Sequence, residues 1–200
     1  MNKDLGSLKI YLLDRDIEMC SAWRKHFFGI KNVEVVCMDF LAFMKTYKVD
    51  CVVSPANGYA LMDGGYDQAI SDYFGWDLQA LVQKYLIENL YGEQPVGSSI
   101  ILDTNIEGIK LIHTPTMRYP EKILDPAVIY HCMRTCLITA LQNGVNTMVV
   151  PAFGAATGEV DLETVSDMMW WAYEQIGNPP QKLDWEYART NRFWVKKNRG

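Results

Sequence analysis

Residues 54–70 read SPANGYALMDGGYDQAI and follow directly on the apolar run VDCVVS at 49–54. That run is short, apolar and rich in β-branched residues, which predicts a buried strand. What comes next is neither a hairpin turn nor an ordinary helix start. It is a loop with backbone freedom at Gly58, Gly64 and Gly65 and polar side chains at Asn57, Asp63 and Asp67. Glycine tolerates unusual backbone angles and lets another group approach the main chain closely. The stretch therefore predicts a ligand-facing loop at the end of a strand.

Working outward, strand-like and helix-like segments alternate nearly end to end. LKIYLL (8–13) and VEVVCM (33–38) read as strands on either side of a helix over 17–28, with Trp23, Phe27 and Phe28 on its apolar face. Two helices follow the glycine loop, over 66–74 and 77–90, the second with Leu78, Leu81, Val82, Tyr85 and Leu86 at helical spacing. SIIL (99–102) and IKLIHT (109–114), joined by DTNIEG, read as paired strands. Asp125 and Pro126 are a good cap and first-turn pair for a helix to 142. TMVVPA (147–152) is a further strand, and 161–176 is the last helix of the body.

Strands interleaved with helices predict an α/β protein with helices on both faces of its sheet. The expected architecture is a three-layer α/β/α sandwich around a central mixed, largely parallel sheet. The domain is expected over 1–176. GNPPQ at 177–181 breaks the pattern and opens a basic, aromatic tail, 177–200, carrying Trp185, Tyr187, Phe193 and Trp194. A docked terminal segment is the expectation for that tail; contact with nucleic acid through its aromatic and basic residues is the weaker alternative.

The 200 residues suit one domain with a sizeable core. No apolar stretch reaches the roughly 20 residues of a membrane-spanning helix. MNKDLGSLKI lacks a signal-peptide apolar region, so a cytoplasmic location is expected. Cys20, Cys37, Cys51, Cys132 and Cys136 lack CxxC spacing and read as reduced, mostly buried thiols. Residues 1–180 hold 13 Lys/Arg against 22 Asp/Glu, a charge of −9, whereas 181–200 hold 6 against 2, or +4. The body is thus a poor nucleic-acid binder, because such binding rests on a basic face. An anionic ligand has to be held by local devices such as backbone N–H groups.

In open α/β sheets, ligands bind beyond the carboxyl ends of the strands. SPANGYALMDGG is one such strand-end loop and PAFGAATGEVD, from 151, is a second; Asp39 after VEVVCM is a shorter signal, and PTMRYP (115–120) is a fourth whose edge depends on strand direction. The second loop sets Gly154 and Gly158 among small residues and enters a helix near Asp161. Successive backbone N–H groups there make an anion-binding concavity, reinforced by the helix dipole. Neither loop gives the Walker pattern or GxGxxG, which disfavours a nucleotide triphosphatase and a dinucleotide dehydrogenase. Two small-residue loops at separate strand ends suggest a bipartite phosphate cradle.

Taken together these residues resemble the macrodomain family, the ADP-ribose-recognising α/β/α module. The family's first loop typically reads N-A-A-N-x-x-L-x-G-G-G-G-V-D-G-A-I, and 54–70 lie over it without a gap, keeping Ala56, Asn57, Leu61, Gly64, Gly65, Asp67, Ala69 and Ile70. Met38-Asp39-Phe40 resembles the family's G-D-I, and PAFGAATG its second loop; PTMRYP is similar to a feature of a subgroup with a Met-Asp-Gly-Gly loop. The resemblance spans 8–176. It implies that Asp39 and Phe40 meet an adenine ring and Asn57 the distal ribose. Gly64 and Gly65 would admit that ribose and its phosphate, and Gly154, Ala155, Ala156, Thr157 and Gly158 would wrap the diphosphate. Asp67 would orient a water in hydrolytic members. Met62 and Asp63 depart from the four-glycine pattern, Asp63 adding charge that would repel a phosphate or act on the distal ribose or a water.

Other polar residues have quieter readings. His113 is expected as a satisfied core histidine rather than a catalytic base. His131, Cys132 and Cys136 do not share a ligand face, and no metal is expected. Asp14 and Asp16 resemble a receiver-domain acidic pocket less than a helix cap at Asp16. Arg118 reads equally as an anion contact or a structural ion pair. The function implied is binding of ADP-ribose or a close derivative, with hydrolysis of an ADP-ribosylated substrate by Asn57, Asp67 and Asp63. The alternatives are a non-catalytic module for ADP-ribose or another NAD-derived nucleotide, and a phosphatase for ADP-ribose 1''-phosphate. No cofactor and no membrane partner are expected.

Overall fold

The apolar run that precedes the glycine loop folds as a strand, Cys51–Ser54, with all four residues buried. A strand buried on both faces reads as continuous apolar sequence because helices cover each side of a parallel sheet. The computed structural model describes residues 4–190, and Phe193 and Trp194 of the tail lie outside them. Six strands form one sheet: β1 Lys9–Asp14, β2 Val33–Cys37, β3 Cys51–Ser54, β4 Ile100–Asp103, β5 Lys110–His113 and β6 Thr147–Pro151. Their order is β2-β1-β6-β3-β5-β4, parallel throughout except for the antiparallel pair of β4 and β5.

The helices are α1 Ile17–Phe27, α2 Phe40–Thr46, α3 Gly65–Phe74, α4 Asp77–Leu90, α5 Ala127–Gln142, α6 Leu162–Gly177 and α7 Trp185–Thr190. Side chains alternate across a strand, so each strand feeds two cores. Cys51 and Val53 face a core with Trp23 of α1, Met133 and Leu137 of α5 and Met169 of α6. Val52 faces the other, with Phe43 of α2, Ile70 and Phe74 of α3 and Leu78 and Val82 of α4. This is the expected three-layer sandwich around a mixed, mostly parallel sheet.

Three local differences have physical reasons. Helix α2 is too short for periodicity to announce: seven residues, capped by Asp39, whose Oδ1 accepts the Ala42 N–H at 2.9 Å. The strand expected from 49 begins at Cys51, although the Asp50 main chain already bonds Thr147 O and Lys110 N and its carboxylate accepts the main-chain N–H groups of Asn146 and Thr147; strand ends shift by a residue or two in this way. In the tail, 185–190 coil as α7, and Gln175 Nε2 donates to Tyr187 Oη at 3.1 Å, tying it to α6.

Candidate functional site

The glycine loop owes its shape to Asn57, which is 7 % exposed. Asn57 Oδ1 accepts the N–H groups of Tyr59 and Leu61 at 3.1 and 3.2 Å, and Nδ2 donates to Leu61 O at 2.8 Å. These bonds fold residues 57–61 into a turn in which Ala60 has a positive φ of 51°. The chain after β5 runs beside it. Thr114 N donates to Ser54 O, Thr116 N to Ala56 O, and Gly58 N to the carbonyls of Met117 and Arg118, each at 3.0 Å. A side chain at Gly58 would place its Cβ 3.1 Å from Gln94 O and 3.2 Å from Arg118 O, so glycine is needed for that close approach. Met62 is fully buried, its N–H bonded to Gln79 Oε1 and its carbonyl to Ser71 Oγ. It fills core space beneath the loop rather than facing a ligand.

Across the cleft stands the loop after β6. Gly154 has φ +74°, and Val160 N donates to its carbonyl at 3.2 Å. At Gly158 an added Cβ would lie 2.6 Å from Gly154 O. Ile123 packs against both glycines, and its N–H bonds Gly158 O at 2.9 Å. The two loops therefore enclose one cleft of about 490 Å³, floored by the carboxyl ends of β1, β3 and β6. Asn57, Asp63, Gly64, Gly65, Asp67, Gly154, Ala155, Ala156, Thr157 and Gly158 all line it.

The Macro domain family model matches residues 53–169. The chain belongs to the macrodomain family. An O-acetyl-ADP-ribose deacetylase of Escherichia fergusonii is 30% identical over 132 residues, 60% of this chain and 73% of the relative. Among solved structures, a mutant Oceanobacillus iheyensis macrodomain with ADPR superposes with a TM-score of 0.62 at 14% identity, covering 99% of this chain and 96% of that one. The macrodomain of Mycobacterium tuberculosis DarG gives 0.57 at 18% identity, covering 66% and 86%.

Within this macrodomain, two candidates stand beside the cleft rather than in its lining. Asp39 and Phe40 do not line it. They follow β2, the edge strand, which sits one strand beyond β1, about 4.8 Å farther out in the sheet. Asp39 caps α2 through Oδ1 and is exposed, and Phe40 is 3 % exposed, packed edge-on against Tyr66 of the cleft lining at 5.2 Å. Asp14, Arg15 and Asp16, at the carboxyl end of β1, do line the cleft. Asp16 caps α1 through the Glu18 N–H at 2.8 Å, and Asp14 Oδ1 accepts the Asp16 N–H at 2.8 Å.

Charge in the macrodomain cleft is mostly negative. Asp14, Asp16, Asp63 and Asp67 line it, and Arg15 is the one Lys or Arg among its lining residues. Arg118 is a structural ion pair. It clasps Glu93 through Nε–Oε1 at 2.7 Å and Nη2–Oε2 at 3.0 Å, with its guanidinium over the Tyr59 ring. Asp67 lies in the first turn of α3 and accepts a hydrogen bond from Ser54 Oγ at 2.6 Å. Burial pushes its pKa up to about 7, the Ser54 bond opposing this only in part. Burial also raises Asp14. His113 is a core residue, wholly buried, with Nδ1 2.7 Å from Gln94 Oε1 and its pKa held down to about 3 by burial. No group of three or more His, Cys, Asp or Glu side chains suited to a metal occurs among the described residues.

Proposed function

We propose that this cleft binds ADP-ribose or a close derivative and that Asp67 serves hydrolysis of a bond at the distal ribose. The observation that carries the reading is the pairing of two glycine loops across one cleft with a carboxyl group between them. Main-chain N–H groups from 154–158 and from 64–65 suit a diphosphate that a single arginine does little to attract. The family resemblance gives the adenine ring to Asp39 and Phe40, and Phe40 packs against Tyr66 of the cleft lining; Asp16, which lines the cleft itself, is the alternative acidic partner. The Escherichia fergusonii relative, named for O-acetyl-ADP-ribose deacetylation, supports a ribose-linked acyl or acceptor group as what is removed.

In such a hydrolysis, one water supplies oxygen to the bond being cleaved and a proton to the departing group. A carboxyl with a pKa near 7 exists in both forms at neutrality, so Asp67 can take the proton from water and return it. Asp63, exposed at the mouth, would meet the distal ribose or the acceptor. Asn57 is assigned a different part: with Oδ1 and one Nδ2 hydrogen used by the loop, it shapes the wall and keeps one N–H for a ribose hydroxyl. That commitment favours a second reading, a binding-only module in which no polar pair is free to position water. The carboxylates around Asp67 work against a terminal phosphate, so a phosphatase is the least supported reading.

Calorimetric titration with ADP-ribose, AMP and NAD, followed by turnover of O-acetyl-ADP-ribose and of an ADP-ribosylated protein, tests this. We expect ADP-ribose to bind at least tenfold tighter than AMP, and Asp67→Asn to keep binding while losing turnover. Binding without turnover in the parent chain establishes the module reading. Failure of ADP-ribose to bind at millimolar concentration overturns both.

A further inference from the structure

Ser54 ends β3 with no exposure to solvent, at the place where the family's loop pattern carries its first asparagine. Its hydroxyl donates to Asp67 Oδ1 at 2.6 Å. The groups around Asp67 make this bond decisive. Its neighbour in α3, Tyr66, has a buried hydroxyl with no partner among the described residues. From β1 come Asp14 and Arg15, from the α1 cap Asp16, and from the glycine loop Asp63. From β5, in register with Ser54, comes His113. Gln94 Nε2 donates to the His113 carbonyl and to Ser98 O, which leaves Gln94 Oε1 to accept from His113 Nδ1. Burial holds the His113 pKa down to about 3 and its buried Nε2 has no partner among the described residues, so the ring is neutral and offers no cation. Ser54 is the one hydrogen-bond donor to the Asp67 carboxyl among the described residues, and Oδ2 has no partner among them.

We propose that Ser54 is the positioning residue of this site: its hydroxyl pins Asp67 Oδ1, so that Oδ2 alone meets the ligand and exchanges the proton there. The proposal rests on the reading of the cleft given above. A donor to the charged form lowers a carboxyl's pKa, and burial holds Asp67 near 7 with that bond in place. Removing the hydroxyl raises the midpoint further. A single hydrogen bond of about 1 kcal/mol or more corresponds to roughly one pH unit, or about a tenfold fall in the ionised fraction well below the midpoint.

The test is a carboxyl-carbon NMR titration of the free protein, with Asp67→Asn to assign the signal, run on the parent, Ser54→Ala and Ser54→Thr. We expect Ser54→Ala to move the Asp67 midpoint up by about one unit, and Ser54→Thr, which keeps a hydroxyl, to stay with the parent. ADP-ribose affinity measured across pH 5.5–9 should change around the parent's midpoint, and Ser54→Ala should displace that profile by the same amount. An Asp67 midpoint unmoved in Ser54→Ala overturns the proposal, as does a shifted midpoint with an unshifted affinity profile. The NMR arm needs no ligand, so a chain that shows the coupling yet never binds ADP-ribose sinks the functional reading and not the coupling of Ser54 to Asp67.

Discussion

Asp67 sits where two demands on one carboxyl conflict: packing against the end of β3 and contact with a cleft. Burial pushes its pKa up to about 7, from about 3.9 in an unfolded chain. The folded state therefore holds the proton more tightly, and the stability this contributes is full below about pH 4 and lost as pH rises through about 7. Asp67→Asn, still able to accept from Ser54, should melt with the parent near pH 4 and above it at pH 8, by about 2–4 kcal/mol. Equal melting at both pH values refutes the assigned burial. His113 acts with the opposite sign. Its pKa is held down to about 3, so its contribution is complete above the unfolded value near 6.5 and disappears as pH falls toward 3. His113→Gln should flatten the acid limb of a stability–pH curve recorded by thermal melting. At this scale sequence was partly legible. The buried histidine and the place of Asp67 in the cleft could be read from apolar context and motif. The bond from Ser54 could not, because it links residues thirteen apart through a strand-to-helix contact.

Loops make the second scale, and here glycine chemistry decides function. Gly158 tolerates no side chain: a Cβ would stand 2.6 Å from the carbonyl of Gly154, a main-chain atom that cannot move aside cheaply. Gly158→Ala should push the second loop into the cleft and weaken ADP-ribose binding at least tenfold while leaving the far-UV circular dichroism unchanged. Unaltered affinity would show that this loop does not wrap the ligand. The paired glycine loops were legible because their composition has few other uses at strand ends. Helix α2 was not, since a cap and a run of five apolar residues in seven positions give no periodic signal. The position of Asp39 in the sheet was hidden for a related reason: a strand-end Asp looks alike at the edge and inside a sheet, and only the order β2-β1-β6 separates Asp39 from Asp16. PTMRYP depended likewise on direction. Because β5 is parallel to β3, it zips onto the glycine loop instead of leaving by the opposite edge.

For the molecule as a whole, the alternation of elements made the layered architecture legible, while the strand order stayed hidden because it is set by which strands find each other across long sequence separations. β6 holds the key place. It pairs with β1 on one side and β3 on the other, so that within the sheet the halves β2-β1 and β3-β5-β4 are joined by it alone. No strand made before residue 147 can join those halves into one sheet. A growing chain thus carries two incomplete ribbons, each offering an unsatisfied inner edge of main-chain amides and carbonyls, until the strand at 147–151 emerges. A chain stopped at residue 146 should collect in inclusion bodies, or bind an amyloid-type dye, under conditions where the full chain stays soluble; a soluble, cooperatively melting fragment would refute the bridging role. Translation leaves this protein longest exposed to self-association at its middle, and a synonymous pause ahead of codon 147 would lengthen that vulnerable interval without altering one residue of the product.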